Sequence, residues 1–211
     1  MAPRRWSKHG PAAVPAAQRP RLQGQEDDIL SAAFPWPDVA AANYVFLNSP
    51  SSSATAQTTT GTLRVTPWVV RKTLSLARIG AEVTAAGEAG SKYRIAIYGD
   101  DGGSRPGALV LDAGQIAGDS VAVQELTIAL TLPPGVYWVG GATQTVTTTQ
   151  PTMRTVAGWF PPLPIALGAA PGSGANILGY AMTGVTGAAP ATFNTSGGGT
   201  AIAPRIHARA A

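Results

Sequence analysis

Apolar and polar positions alternate with a period of two along much of the chain, the spacing of strands whose two faces meet different surroundings. The run VQELTIALTL (residues 123–132) shows this most cleanly. Leu126, Ile128, Leu130 and Leu132 fall on one face, and Glu125, Thr127, Ala129 and Thr131 on the other. In KYRIAIYG (92–99), Tyr93, Ile95 and Ile97 oppose Arg94, Ala96 and Tyr98. GTLRVTPWVV (61–70) and KTLSLARIGAEVT (72–84) are further extended runs, with Pro67 suited to an edge, a bend or a strand start. ALVLDAG (108–114) and VYWVGGATQ (136–144) follow, and TMRTVAGWF (152–160), GYAMTGVTG (179–187) and IAPRIHARA (202–210) are weaker candidates. AAGEAG (85–90), DDGGSRPG (100–107) and PPG (133–135) are dense in turn formers. No stretch sustains the helical spacing of apolar residues. The pattern predicts an all-β chain, an antiparallel, jelly-roll-like β-sandwich.

The pattern also divides the chain. Residues 1–43 read as an extended Pro/Arg-rich arm, because Pro3, Pro11, Pro15 and Pro20 each remove a backbone donor and discourage helix. FPWPDV (34–39) sets two aromatics between prolines, a form suited to docking in an apolar groove. Residues 44–211 are assigned to the sandwich. Within them, residues 49–60 (SPSSSATAQTTT) hold eight Ser/Thr in twelve positions and read as a loop or linker, with a threonine-rich edge strand as the alternative.

Charge sharpens this division. The sequence pI of 9.8 invites a nucleic-acid reading, but Arg4, Arg5, Lys8, Arg19 and Arg21 stand in residues 1–25 without an acid, while the remainder carries ten Lys/Arg and eleven Asp/Glu. The basicity belongs to the arm. Arg4, Arg5, Trp6, Lys8, Arg19 and Arg21 are therefore read as a particle- or subunit-anchoring segment, with non-specific phosphate contact as a lesser role. Nothing points to specific nucleic-acid binding. No run approaches the ~20 apolar residues of a membrane-spanning helix, and the opening residues make a poor signal peptide because Pro11 and Pro15 interrupt them. The expectation is a chain made in a cytoplasm, not inserted in a membrane, and carried outside by other means. With no cysteine, neither disulfides nor thiolate metal sites are available.

Candidate chemistry is sparse. The two histidines are His9, in the arm, and His207, read as a strand residue at a rim, and no GxSxG elbow accompanies them. Glu26, Asp27 and Asp28 lie in the arm, where a catalytic geometry is hard to hold. Asp100 and Asp101 lie in a glycine-rich turn where adjacent side chains diverge; the turn lacks the alternating acids of a dedicated calcium loop, so turn formation is the reading adopted. The GSGA (172–175) and GGG (197–199) stretches follow no strand-to-helix pattern that would cradle phosphate. No catalytic, metal or cofactor site is predicted, and the chain is expected to be non-enzymatic. Trp138 is expected in the core. Trp159 and Phe160, beside three prolines, together with the loop acids Asp100 and Asp101, form the expected contact surface, for a glycan or a neighbouring subunit.

RIGAEVTAAGEAG, YRIAIYGDDGGSRPGALVLDAG and LPPGVYWVGG, with QPTMRTVAGW and the closing APRIHARA, resemble a module of the minor tail proteins of tailed phages that infect actinobacteria. The resemblance covers about residues 44–211 and excludes the arm. It implies a β-sandwich with a structural or host-surface-binding role in the virion, released by lysis, with other virion proteins, further copies of itself and a host-envelope glycan as partners. It implies no particular binding residues. Capsid decoration, with the arm lying across the shell, is the alternative that the arm equally suits.

Overall fold

The structure is a computed structural model that describes residues 39–47, 52–157, 178–194, 199–200 and 202–211. The described residues form thirteen strands: β1 (Tyr44–Phe46), β2 (Ser52–Gln57), β3 (Leu63–Val70), β4 (Leu74–Ala85), β5 (Lys92–Asp100), β6 (Pro106–Ala117), β7 (Ala122–Leu132), β8 (Gly135–Gln144), β9 (Thr152–Ala157), β10 (Gly179–Met182), β11 (Gly199–Thr200), β12 (Ala203–Pro204) and β13 (Ile206–Ala210). The chain is all-β, an antiparallel β-sandwich. Among the described residues no helix is long and apolar enough to cross a membrane.

One sheet contains β1, β13, β4, β9 and β12, with β7 paired to β4 and β2 paired to β9. The other runs β11-β10-β3-β8-β5-β6. The alternation read in β5 and β7 is what joins them. Leu76, Ile79, Ala81 and Val83 of β4, with Ile206 and Ala208 of β13, face Trp68, Tyr93, Ile95, Ile97 and Val139 of the second sheet in one buried core. Leu126, Ile128 and Leu130 of β7 pack against its margin. A β-branched or leucine side chain taken fully out of water contributes roughly 1.5–3 kcal/mol, so this layer is the main source of stability.

The second sheet is buried on its other face as well. Leu63, Val65, Ala96, Tyr98, Trp138 and Tyr180 lie there, beneath Val185, Ala189 and Phe193 of the segment after β10. Trp138 is fully buried, with the Tyr180 ring edge-on at 5.4 Å. Tyr98 meets Phe193 in the same manner, also at 5.4 Å, and its hydroxyl donates to the carbonyl of Pro190 at 3.0 Å. Polar contacts fix this strap. Gln144 Nε2 donates to the carbonyls of Val185 and Gly187 at 2.8 and 2.7 Å. Asp112 accepts from the Ala189 amide at 3.0 Å and from Arg94 Nη1 at 2.6 Å. Burial raises the Asp112 pKa, but the Arg94 guanidinium and the amides of Ala189 and Gly114 outweigh it and hold the carboxyl below its ordinary value.

The Ser/Thr-rich run corrects one expectation. Residues 52–57 are not a loop or linker but strand β2, in register with β9 from Ser52↔Ala157 to Gln57↔Thr152. Its small side chains carry no strand-like hydrophobic pattern. The pairing comes from the backbone ladder that β9 offers on that side.

Candidate contact face

The sequence-predicted contact residues resolve into two groups. Trp159 and Phe160 lie outside the described residues, as do the arm residues Arg4, Arg5, Trp6, Lys8, Arg19 and Arg21. Asp100 and Asp101 lie in the turn from β5 to β6, where both carboxylates accept bonds from the protein itself. Asp100 accepts from the Gly102 amide at 2.8 Å and from Trp138 Nε1 at 3.0 Å. Asp101 accepts from the Gly103 amide at 2.7 Å. Both therefore close the turn in the manner typical of aspartate, and Asp100 also satisfies the one polar atom of the buried indole. Among the described residues no group of three or more His, Asp or Glu could hold a metal ion.

The outward face of the first sheet is different. Because Ile206 and Ala208 point into the core, the alternation of β13 turns His207 and Arg209 outward, with Arg205 just before the strand. In β4 the inward set of Ile79, Ala81 and Val83 leaves Arg78, Gly80 and Glu82 outward. On β1, Val45 packs inward while Tyr44 and Phe46 stay 59% and 50% exposed. On β7, Val123 is 62% exposed on the same face as Glu125 and Thr127, and Val121, equally exposed, immediately precedes the strand.

Strand register sets these side chains in rows. One row across the sheet is Tyr44, Arg209, Arg78 and Thr127. The next is Phe46, His207, Gly80 and Glu125. Gly80 is required there: a Cβ would lie 2.0 Å from the Gln124 carbonyl oxygen and 2.8 Å from His207 Nε2. With no side chain on Gly80, His207 reaches across it, and its Nε2 stands 3.7 Å from Glu125 Oε1. Neither atom has a hydrogen-bond partner within the protein. His207 is only 6% exposed and lies mid-sheet under the tilted Tyr44 ring, 5.9 Å away, rather than at a rim. Burial lowers its pKa below 6.5 despite the pull of Glu125.

Beyond this row, Glu82 accepts from Arg154 Nη2 at 2.8 Å and Arg205 Nη2 at 3.0 Å, and the two guanidiniums hold its carboxyl below the ordinary range. The Arg205 guanidinium also lies over the Phe46 ring, 4.9 Å from its centre. The face thus gathers four arginines, two glutamates, one histidine and two exposed aromatic rings. Sequence reading missed it as a surface, although its signal is present in RIGAE (78–82) and RIHAR (205–209), where charged residues, histidine or glycine stand at every second position. Compared with known proteins, the chain matches no family model and no curated protein.

Proposed function

We propose that this chain is a non-enzymatic structural and binding module of a tailed-phage virion, a minor tail or tail-tip protein. Its working surface on this reading is the outward face of the first sheet. The observation that carries the binding role is the concentration on that one face of exposed Tyr44, Phe46 and Val123 with Arg78, Arg154, Arg205 and Arg209. Exposed aromatic rings beside arginine are the combination enriched where proteins grip a partner.

The non-enzymatic part of the proposal is supported by how the carboxylates are used. Glu82 holds two arginines, Asp112 holds Arg94 and the strap, and Asp100 and Asp101 close a turn. Glu88 accepts from the Thr148 hydroxyl and from the amides of Thr147, Thr149 and Thr148, which together pull its carboxyl down to about 2. Each of these acids has a structural task within the sandwich. The tail assignment itself is supported by the sequence resemblance of residues 44–211. A sandwich without cysteine also suits a particle that passes from a reducing cytoplasm to the outside. Its partners on this reading are other virion proteins, further copies of the chain and a glycan of the host envelope.

Gold-labelled antibody against residues 61–211, imaged by electron microscopy on intact particles, tests the assignment. Label at the tail tip is the expected result. Label spread over the head overturns it in favour of capsid decoration.

A further inference from the structure

Two arginines stand at opposed positions on this surface without sharing an acid. Arg209 and Arg78 are direct cross-strand partners, and directly opposed side chains on a sheet place their Cβ atoms about 4.5–5.5 Å apart. Like charges at that spacing destabilise a sheet. Elsewhere on the same face the arginines hydrogen-bond an acid: Arg154 and Arg205 both bond Glu82. Arg78 approaches Glu125 only to 3.9 Å, beyond hydrogen-bond range. Among the described residues Arg209 forms no ion pair. Among the described residues, Arg78 and Arg209 are therefore the arginines of this face that no acid hydrogen-bonds.

Its surroundings define what would match it. Tyr44, next to Arg209 in the same row, is 59% exposed, and Phe46 follows one row on. Flat rings at this position suit the apolar face of a pyranose. The face also carries Glu82 and Glu125, carboxylates that accept hydrogen bonds from hydroxyls. A ligand with a carboxylate, a ring to stack and hydroxyls to donate fits all three features. A closely spaced phosphate chain fits only the first.

We propose that Arg78 and Arg209 form an oxyanion site for the carboxylate of an acidic sugar, with Tyr44 stacking on the sugar ring. Two guanidiniums side by side offer planar, paired donors of the kind that recognise a carboxylate. The site rests on the glycan-binding role proposed above and names its ligand class, a uronic-acid residue in a glycan.

The test is NMR titration of the full chain with trigalacturonate, following the Arg Nε–H signals, with a neutral galactose trisaccharide and oligothymidylate as parallel probes. Trigalacturonate is expected to shift the Arg78 and Arg209 signals and to bind at least tenfold more tightly than the neutral sugar. Arg209→Gln and Arg78→Gln are each expected to weaken it at least fivefold with an unchanged melting temperature. The five arm cations can attract any polyanion, so shifts confined to the arm, or affinity unmoved by both substitutions, overturn the site. Equal or tighter oligothymidylate binding at the same two arginines overturns the sugar in favour of nucleic acid. Tail-tip label without trigalacturonate binding overturns this site and leaves the tail reading standing. Trigalacturonate binding with label on the head does the reverse.

Discussion

Burial pushes the His207 imidazole below its ordinary pKa of 6.5. Of the charges that face it, Glu125 on β7 and Glu82 on β4 pull it up, and Arg205 pushes it further down. Arg78 and Arg209 flank it and the Tyr44 ring covers it. Desolvation prevails, and the imidazole stays neutral in the folded chain at pH values where the unfolded chain already binds a proton. The sign follows: above about pH 6.5 both states are neutral and His207 costs nothing, and as pH falls through that value the unfolded state takes up the proton first, so stability declines. His207→Gln, which removes the titration, is expected to flatten the fall in melting temperature between pH 7 and pH 5. An unchanged slope in the variant would show that other groups set the acid sensitivity. The alternation in RIHAR made an outward His207 legible. Its burial was not, because that depends on Gly80 in a strand more than a hundred residues earlier.

At the scale of elements, β5 and β8 show both the reach and the limit of pattern reading. Tyr93, Ile95 and Ile97 read as one face and pack as one. The opposite residues Ala96 and Tyr98 belong to a second core, which exists only because the segment after β10 folds back over the sheet. The first residues of that segment fall in the weak strand candidate 179–187, and its three apolar anchors, Val185, Ala189 and Phe193, recur at every fourth position, a spacing outside the period of two that marks the strands. Asp112 is the polar link between strap and sheet, bonding Arg94 on one side and the Ala189 amide on the other. Asp112→Asn keeps the shape but removes the charge from these bonds. It is expected to cost about 1–3 kcal/mol, and amide hydrogen exchange should accelerate first at Ala189, which donates to Asp112 itself, and at Leu109 and Phe193, whose backbone bonds join strap to strand. Uniform acceleration across both sheets would instead mean that the strap and the sandwich open as one unit. The same reasoning explains β2: a polar run becomes a strand when a neighbouring ladder is available, and composition carries no trace of that neighbour.

For the whole molecule, the division between arm and sandwich is the feature most directly open to a deletion. Among the described residues, both cores draw on Val45 and the residues that follow it, whereas the five unbalanced cations stand in residues 1–25. Removing residues 1–25 takes away none of the described core residues and changes the formal net charge from +4 to about −1, given the +5 those residues carry. On the virion reading, anchoring and recognition then separate. The truncated chain is expected to be soluble, to melt within a few degrees of the full chain, and to be missing from purified particles. Loss of folded protein would place the arm inside the structural unit and make it part of the fold. Normal incorporation would assign anchoring to the sandwich, and the outward face of the first sheet would then be the nearest candidate for subunit packing. Which face meets which partner was never legible in the chain, because the rows that define it arise from register: Arg209 meets Arg78 only after strands 131 residues apart in sequence have paired. The deletion separates the two roles because the charge it removes and the rows it spares lie on opposite sides of the division.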